Sequence, residues 1–183
     1  MRHKRSRVTA ALAAALGAVT LLAVAAPAGA TPEPETTDPA TPTHVVGMAG
    51  GTLDMPGYEG DPVTFAVDAH GMPGDSDGSF HVAHHRPDGA LFGAFDGSVD
   101  CVIREGDLSI VTGVVEHAEL PGLPDVDLVG RRVGVSVRDV ADGQDKIGWS
   151  WAVAGFDQEL PMCTGTVPFF RTAHGDYVVS DAS

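Results

Sequence analysis

Apolar side chains recur at every second position along most of this chain. Val63, Phe65, Val67 and Ala69 alternate with Thr64, Ala66, Asp68 and His70. Phe80, Val82 and His84 alternate with His81, Ala83 and His85, and Val99, Cys101 and Ile103 with Ser98, Asp100 and Val102. Val133, Val135 and Val137 form a fourth set, and Ile147, Trp149, Trp151 and Val153 a fifth. A strand turns successive side chains to opposite faces, so this period places one apolar face of each segment against a core. No window after residue 30 carries the 3.6-residue apolar period of a helix. Leu108 to Val115, Thr164 to Arg171 and Asp176 to Ser180 are further strand candidates. If a short helix exists, Glu116 to Leu120 is where it is expected.

The punctuation between these segments is that of hairpins. Asp-Gly occurs at Asp77-Gly78, Asp88-Gly89, Asp96-Gly97 and Asp142-Gly143. Glycine tolerates positive φ and aspartate satisfies nearby backbone amides, which suits tight turns. Glu105-Gly106-Asp107 and His174-Gly175-Asp176 read as two more turns, and Leu120 to Pro124 as a longer connection. The chain contains no Asn, so Asp carries that turn role alone. The expected fold is all-β: a single antiparallel β-barrel or sandwich of about 8–9 short strands.

The first thirty residues describe an address. Arg2, His3, Lys4, Arg5 and Arg7 precede an uncharged run from Val8 to Ala26, and Ala28-Gly29-Ala30 follows. A basic start, an apolar stretch and an A-x-A site together make a cleaved secretory signal, with cleavage expected near Ala30. Residues 1–30 are therefore read as a signal peptide and 31–43, rich in Pro and Thr, as a disordered linker. Residues 44–183 are read as one all-β domain, long enough for a single core. The protein is expected to be secreted, without membrane insertion once the signal is removed.

Charge and cysteine content narrow the partners. Four of the eleven Lys and Arg residues lie in the signal, leaving seven against all 25 acids and a formal charge of −18. Such a surface repels phosphates, which excludes nucleic acid as a partner. The two cysteines, Cys101 and Cys163, stand 62 residues apart with no C-x-x-C motif. In an oxidising compartment they are expected to form a disulfide.

The residues from Gly78 onward also carry a resemblance. A Gly78-Ser79-Phe80 strand precedes Phe95-Asp96-Gly97-Ser98-Val99-Asp100-Cys101, then Gly106 and Val111-Thr112-Gly113. Val135 to Asp139, Cys163-Thr164 and Gly175-Asp176 complete it. This pattern resembles a group of small secreted proteins of high-GC Gram-positive bacteria with no assigned function. The resemblance spans residues 62–180, consists of turn glycines and core positions, and implies a small β-barrel without transferring a site.

Candidate chemistry centres on His81, His84 and His85. Imidazoles with nearby carboxylates suit zinc or copper. On a strand, His81 and His85 share a face about 13 Å apart while His84 points to the other. One ion could gather them only with a bulge near His85-Arg86-Pro87, helped by His70, Asp75 and Asp77. The alternative is one hydrogen-bonded core histidine and two exposed ones. Gly74 to Gly78 and Asp139 to Asp145 carry spaced carboxylates but lack the closing Glu of an EF-hand. Trp149 and Trp151 fall on one strand face, flanked by aliphatics that favour burial. Gly148-Trp149-Ser150-Trp151-Ala152 lacks the fifth-position Gly of a nucleophile elbow. The sequence thus reads as a secreted, non-catalytic β-barrel module with no cofactor, acting by binding an unknown extracellular protein or small ligand or as an envelope-associated protein. The alternative is a metal-binding protein or metal-dependent enzyme built on the three histidines.

Overall fold

The computed structural model describes residues 41–141 and 144–181. The expected signal peptide, residues 31–40 of the expected linker and the expected Asp142-Gly143 turn lie outside the described residues. Nine strands form a single antiparallel sheet: β1 (Thr43–Thr52), β2 (Pro62–Met72), β3 (Asp75–His85), β4 (Leu91–Glu105), β5 (Leu108–Glu119), β6 (Arg132–Arg138), β7 (Lys146–Trp149), β8 (Phe170–Arg171) and β9 (His174–Asp181). Their order across the sheet is β8-β7-β6-β5-β4-β3-β2-β1-β9, a meander whose final strand returns to the first. A single curled sheet, barrel-like rather than a two-sheet sandwich, is what the period-two pattern builds.

The inward positions of β2, β3 and β6 are those the alternation marks, whereas in β4 the expected face of Val99, Cys101 and Ile103 is broken by a register shift between Val99 and Cys101 that puts Val102 in the core and Cys101 in the disulfide. Val63, Phe65, Val67 and Ala69 of β2, Phe80 and Val82 of β3, and Val133, Val135 and Val137 of β6 are all buried in one cluster. Phe80 reaches the wall through two gaps. A Cβ on Gly97 would come within 2.9 Å of its ring, and one on Gly113 within 2.6 Å. These glycines therefore clear space for an aromatic ring inside the curl.

The chain closes the curl by passing directly from β8 to β9. Phe170 and Arg171 pair with Ile147 and Lys146 of β7, and three residues later His174 pairs with Gly50 of β1. Two backbone bonds pin the crossing, from Thr172 N–H to the Asp145 carbonyl (2.9 Å) and from Ala173 N–H to that of Gly50 (2.7 Å). The amides of Tyr177 and Val179 in β9 donate to the carboxylates of Asp145 (2.7 Å) and Asp139 (3.1 Å). Side chains of the β6–β7 connection thus do at this edge what a neighbouring strand does elsewhere. The buried Tyr177 hydroxyl spans the interior to the Phe65 carbonyl at 2.8 Å. Burial is also the leading cause pushing the Asp145 carboxyl up and the Tyr177 phenol up.

Residues 155–169 cross the outer face of β4 to β7. The outward positions there are small: Thr112, Gly134, Ser136 and Gly148. A Cβ on Gly134 would lie 2.7 Å from the Thr164 carbonyl oxygen, and one on Gly148 2.8 Å from that of Val167. The disulfide between Cys101 and Cys163, Cα atoms 5.3 Å apart, fastens this segment to β4. Arg132 adds a second tie, reaching Asp100 at 2.6 Å and the Leu160 carbonyl at 3.2 Å.

Several local expectations are corrected. β1, rich in glycine, is not among the expected strands, and its first residue Thr43 falls in the stretch read as linker. Glu116 to Leu120 is not helical, because β5 extends to Glu119 against Ala94 to Asp96 of β4. Asp77-Gly78 lies inside β3 and His174-Gly175-Asp176 inside β9. Asp96-Gly97 lies inside β4, at a register shift, not at a turn. Asp88-Gly89 and Glu105-Gly106-Asp107 do sit at strand connections. Most of Thr164 to Arg171 is irregular, since it crosses the sheet instead of joining it. β7 stops at Trp149, and α1 (Trp151–Ala154) replaces its expected continuation.

Candidate functional site

One end of the curl is open and lined by rings. β1 ends there, β2 begins, β3 passes into β4, and the β5–β6 connection and α1 complete the rim. Between them lies a cavity of about 320 Å3. Phe65, Phe95 and Trp149 form its floor, and Tyr58, Phe92, Trp151 and Phe156 line its sides. Phe65 stacks on Trp149 at 4.9 Å between ring centroids, and Trp151 stacks on Phe156 at 5.8 Å. These aromatics come from loops, strands and α1, so only the folded sheet gathers them.

The register creates the wall beside His84. His84 pairs with Gly93, but His85 pairs with Leu91, so Phe92 is an extra residue on β4. A bulge of this kind re-aims a side chain. Here it turns both Phe92 and Gly93 toward the cavity. The Phe92 ring lies 4.4 Å from the His84 ring, centroid to centroid. Gly93 leaves the space open, where a Cβ would stand 2.9 Å from Leu120.

His84 is the cavity's anchored polar group. Its Nε2 lies 2.7 Å from Oδ2 of Asp61, whose side chain is only 3% exposed. A carboxylate accepts and does not donate, so Nε2 carries the hydrogen and Nδ1 presents a lone pair when the ring is neutral. Arg86 approaches the same Asp61 oxygen at 3.3 Å and lays its guanidinium 4.2 Å from the Phe92 centroid. Tyr58 meets the imidazole edge-on at 5.4 Å. Burial holds His84 below the ordinary imidazole range, and the charges of Arg86 and His85 add to that lowering. The hydrogen bond and charge of Asp61 oppose it.

The three histidines proposed as metal ligands are not brought together. His84 faces inward with Phe80 and Val82, whereas His81 is exposed on the outer face, opposite Ala66 and Asp96 of the neighbouring strands. His85 lies past the register shift. Among the described residues, no group of three His, Cys, Asp or Glu side chains converges in a metal-binding arrangement. His70 and Asp77 pair with each other at 2.6 Å on the exposed surface. Asp75 and Asp77 are strand residues, and Asp139 and Asp145 accept backbone amides. Trp149 and Trp151 both line the cavity, but from β7 and α1 and not from one strand face.

Sequence reasoning identified the inward turn of His84 but missed its partner. Asp61 sits in the β1–β2 connection, 23 residues away, with no period to mark it. Comparison with protein-family models, curated proteins and solved structures yields no match. Among the described residues no helix is long and apolar enough to cross a membrane.

Proposed function

We propose that this protein is an exported, non-catalytic β-barrel module that binds one small apolar molecule in the open end of its curled sheet. The observation that carries the reading is the ring-lined cavity of about 320 Å3. Binding sites for small molecules are concave, mostly apolar and supplied with few fixed polar groups, typically in volumes of about 300–1,000 Å3. The cavity stands at the lower end of that range, which suits a compact ligand. A disulfide and an N-terminal secretion pattern support work outside the cytoplasm. The acidic surface supports a neutral ligand or a cationic partner over an anionic polymer.

The test uses N-phenyl-1-naphthylamine, whose emission rises in apolar surroundings. Saturable enhancement at one equivalent is expected. Ala152, on α1, lines the cavity without belonging to any polar contact described above. Ala152→Phe should fill the space and remove the enhancement while leaving the β-sheet spectrum unchanged. Enhancement that never saturates, or that survives Ala152→Phe, would overturn the reading.

A further inference from the structure

Resting on that cavity as the binding site, we propose that Nδ1 of His84 is the acceptor that receives a ligand hydroxyl, so that the ligand class is a compact aromatic alcohol or phenol. The geometry points there in three steps. First, His84 lines the cavity, and its Nε2–H is committed to the nearly buried Asp61 at 2.7 Å. That contact fixes the tautomer and leaves Nδ1 without a hydrogen-bond partner among the described residues. Second, the indole N–H groups of Trp149 and Trp151 can only donate, and the Tyr58 hydroxyl can donate or accept. A neutral His84 is therefore the one lining side chain with a strong acceptor fixed in place by an ionisable partner. Third, the Arg86 guanidinium packs on Phe92 beside the imidazole. Its charge disfavours an ammonium as the donor and leaves a neutral hydroxyl. The surrounding aromatic rings supply faces and edges for a flat ligand body.

The same arrangement makes recognition depend on pH. The groups facing His84 are Asp61 and Tyr58 from the β1–β2 connection, Arg86 from the β3–β4 turn, and its neighbour His85. Val63 of β2 and Gly93 of β4, its cross-strand partners, bring no charge. When the ring gains a proton, Nδ1 becomes a donor and loses its acceptor role. A hydroxyl and a methyl ether then accept from it equally well, so discrimination between them disappears.

The probes are 1-naphthol and 1-methoxynaphthalene, titrated into the intact folded protein at about pH 7.5 and through a descending pH series in which the imidazole proton shifts of His84 report its protonation. Naphthol should bind about tenfold more tightly than the ether at the higher pH, the ratio that one net hydrogen bond gives. The ratio should approach one once the ring is protonated, a step that burial moves below the ordinary histidine range. It should persist at the higher pH in Tyr58→Phe and vanish in His84→Phe. Equal affinities throughout the series would overturn this inference while leaving the cavity as a binding site. A tenfold ratio that survives protonation of His84, or is lost in Tyr58→Phe, would assign the hydroxyl to another group and overturn it too. Failure of both probes to bind saturably would overturn this inference and the reading on which it rests. The pH series on the unsubstituted protein decides the matter even if His84→Phe does not fold.

Discussion

His84 joins stability to recognition through one contact. Its imidazole gives the nearly buried Asp61 carboxylate a hydrogen-bond donor, and Phe92 and Tyr58 cover the pair. Truncation to Ala would leave that carboxylate with Arg86 alone, at 3.3 Å. His84→Ala is expected to cost about 2–3 kcal/mol, the scale of a buried charge losing a partner. His81→Ala and His85→Ala should stay within about 0.5 kcal/mol. Denaturant midpoints of the three variants check the ranking, and equal losses would contradict it. The pH dependence follows from the lowered folded value. The unfolded chain binds this proton more readily, so stability from neutral His84 is present above about pH 6.5 and is lost as pH falls through the folded value. Between pH 6.5 and 5 the wild-type protein should therefore lose stability more steeply than His84→Ala. Tyr177→Phe tests a second buried contact. Losing the bond to the Phe65 carbonyl should cost about 1–2 kcal/mol, measurable by the same denaturant titration.

At the scale of elements, the crossing segment 155–169 depends on small outward side chains and on the disulfide. Gly134→Val should lift the segment from β6, because the Thr164 backbone leaves no room for added carbons. Hydrogen exchange should then speed up across residues 155–169 while β2 and β3 remain protected. Cys101→Ser together with Cys163→Ser should cost about 2–5 kcal/mol, typical for a native disulfide in a secreted domain. Mass spectrometry of the non-reduced protein should find no free thiol. Much of this scale was legible in the sequence. Val133-Gly134-Val135-Ser136-Val137 declares a strand by its large inward residues. Its small alternate residues carry a message that the period alone does not convey: another segment lies over them. β1 was harder to recognise because Gly47, Gly50 and Gly51 interrupt its apolar alternation. A Cβ on Gly47 would meet the backbone of β9, so packing and not propensity places glycine there. Asp77-Gly78 carries a turn signal inside a strand for a similar reason, since the β2 backbone passes close to Gly78. Trp151 kept the apolar period of β7 into α1, where periodicity over so few residues cannot separate strand from helix.

The described residues form one curled sheet whose open end contains the candidate site. Far-ultraviolet dichroism should be dominated by β-structure, the only described helix being Trp151–Ala154. A strong chelator should leave the thermal midpoint unchanged, since the described fold is held by strand pairing, side-chain caps at β9 and a disulfide. A large drop would favour a metal centre instead. The cavity itself could not be read from the sequence, because its rings converge from three strands, α1 and two connections separated by up to about a hundred residues. The central claim is that this cavity takes one small apolar ligand, and calorimetric titration with 1-naphthol tests it most directly. One site per chain is expected, with a negative heat-capacity change from apolar burial and no detectable binding in Ala152→Phe. Binding at several equivalents, or an unchanged isotherm in Ala152→Phe, would contradict it.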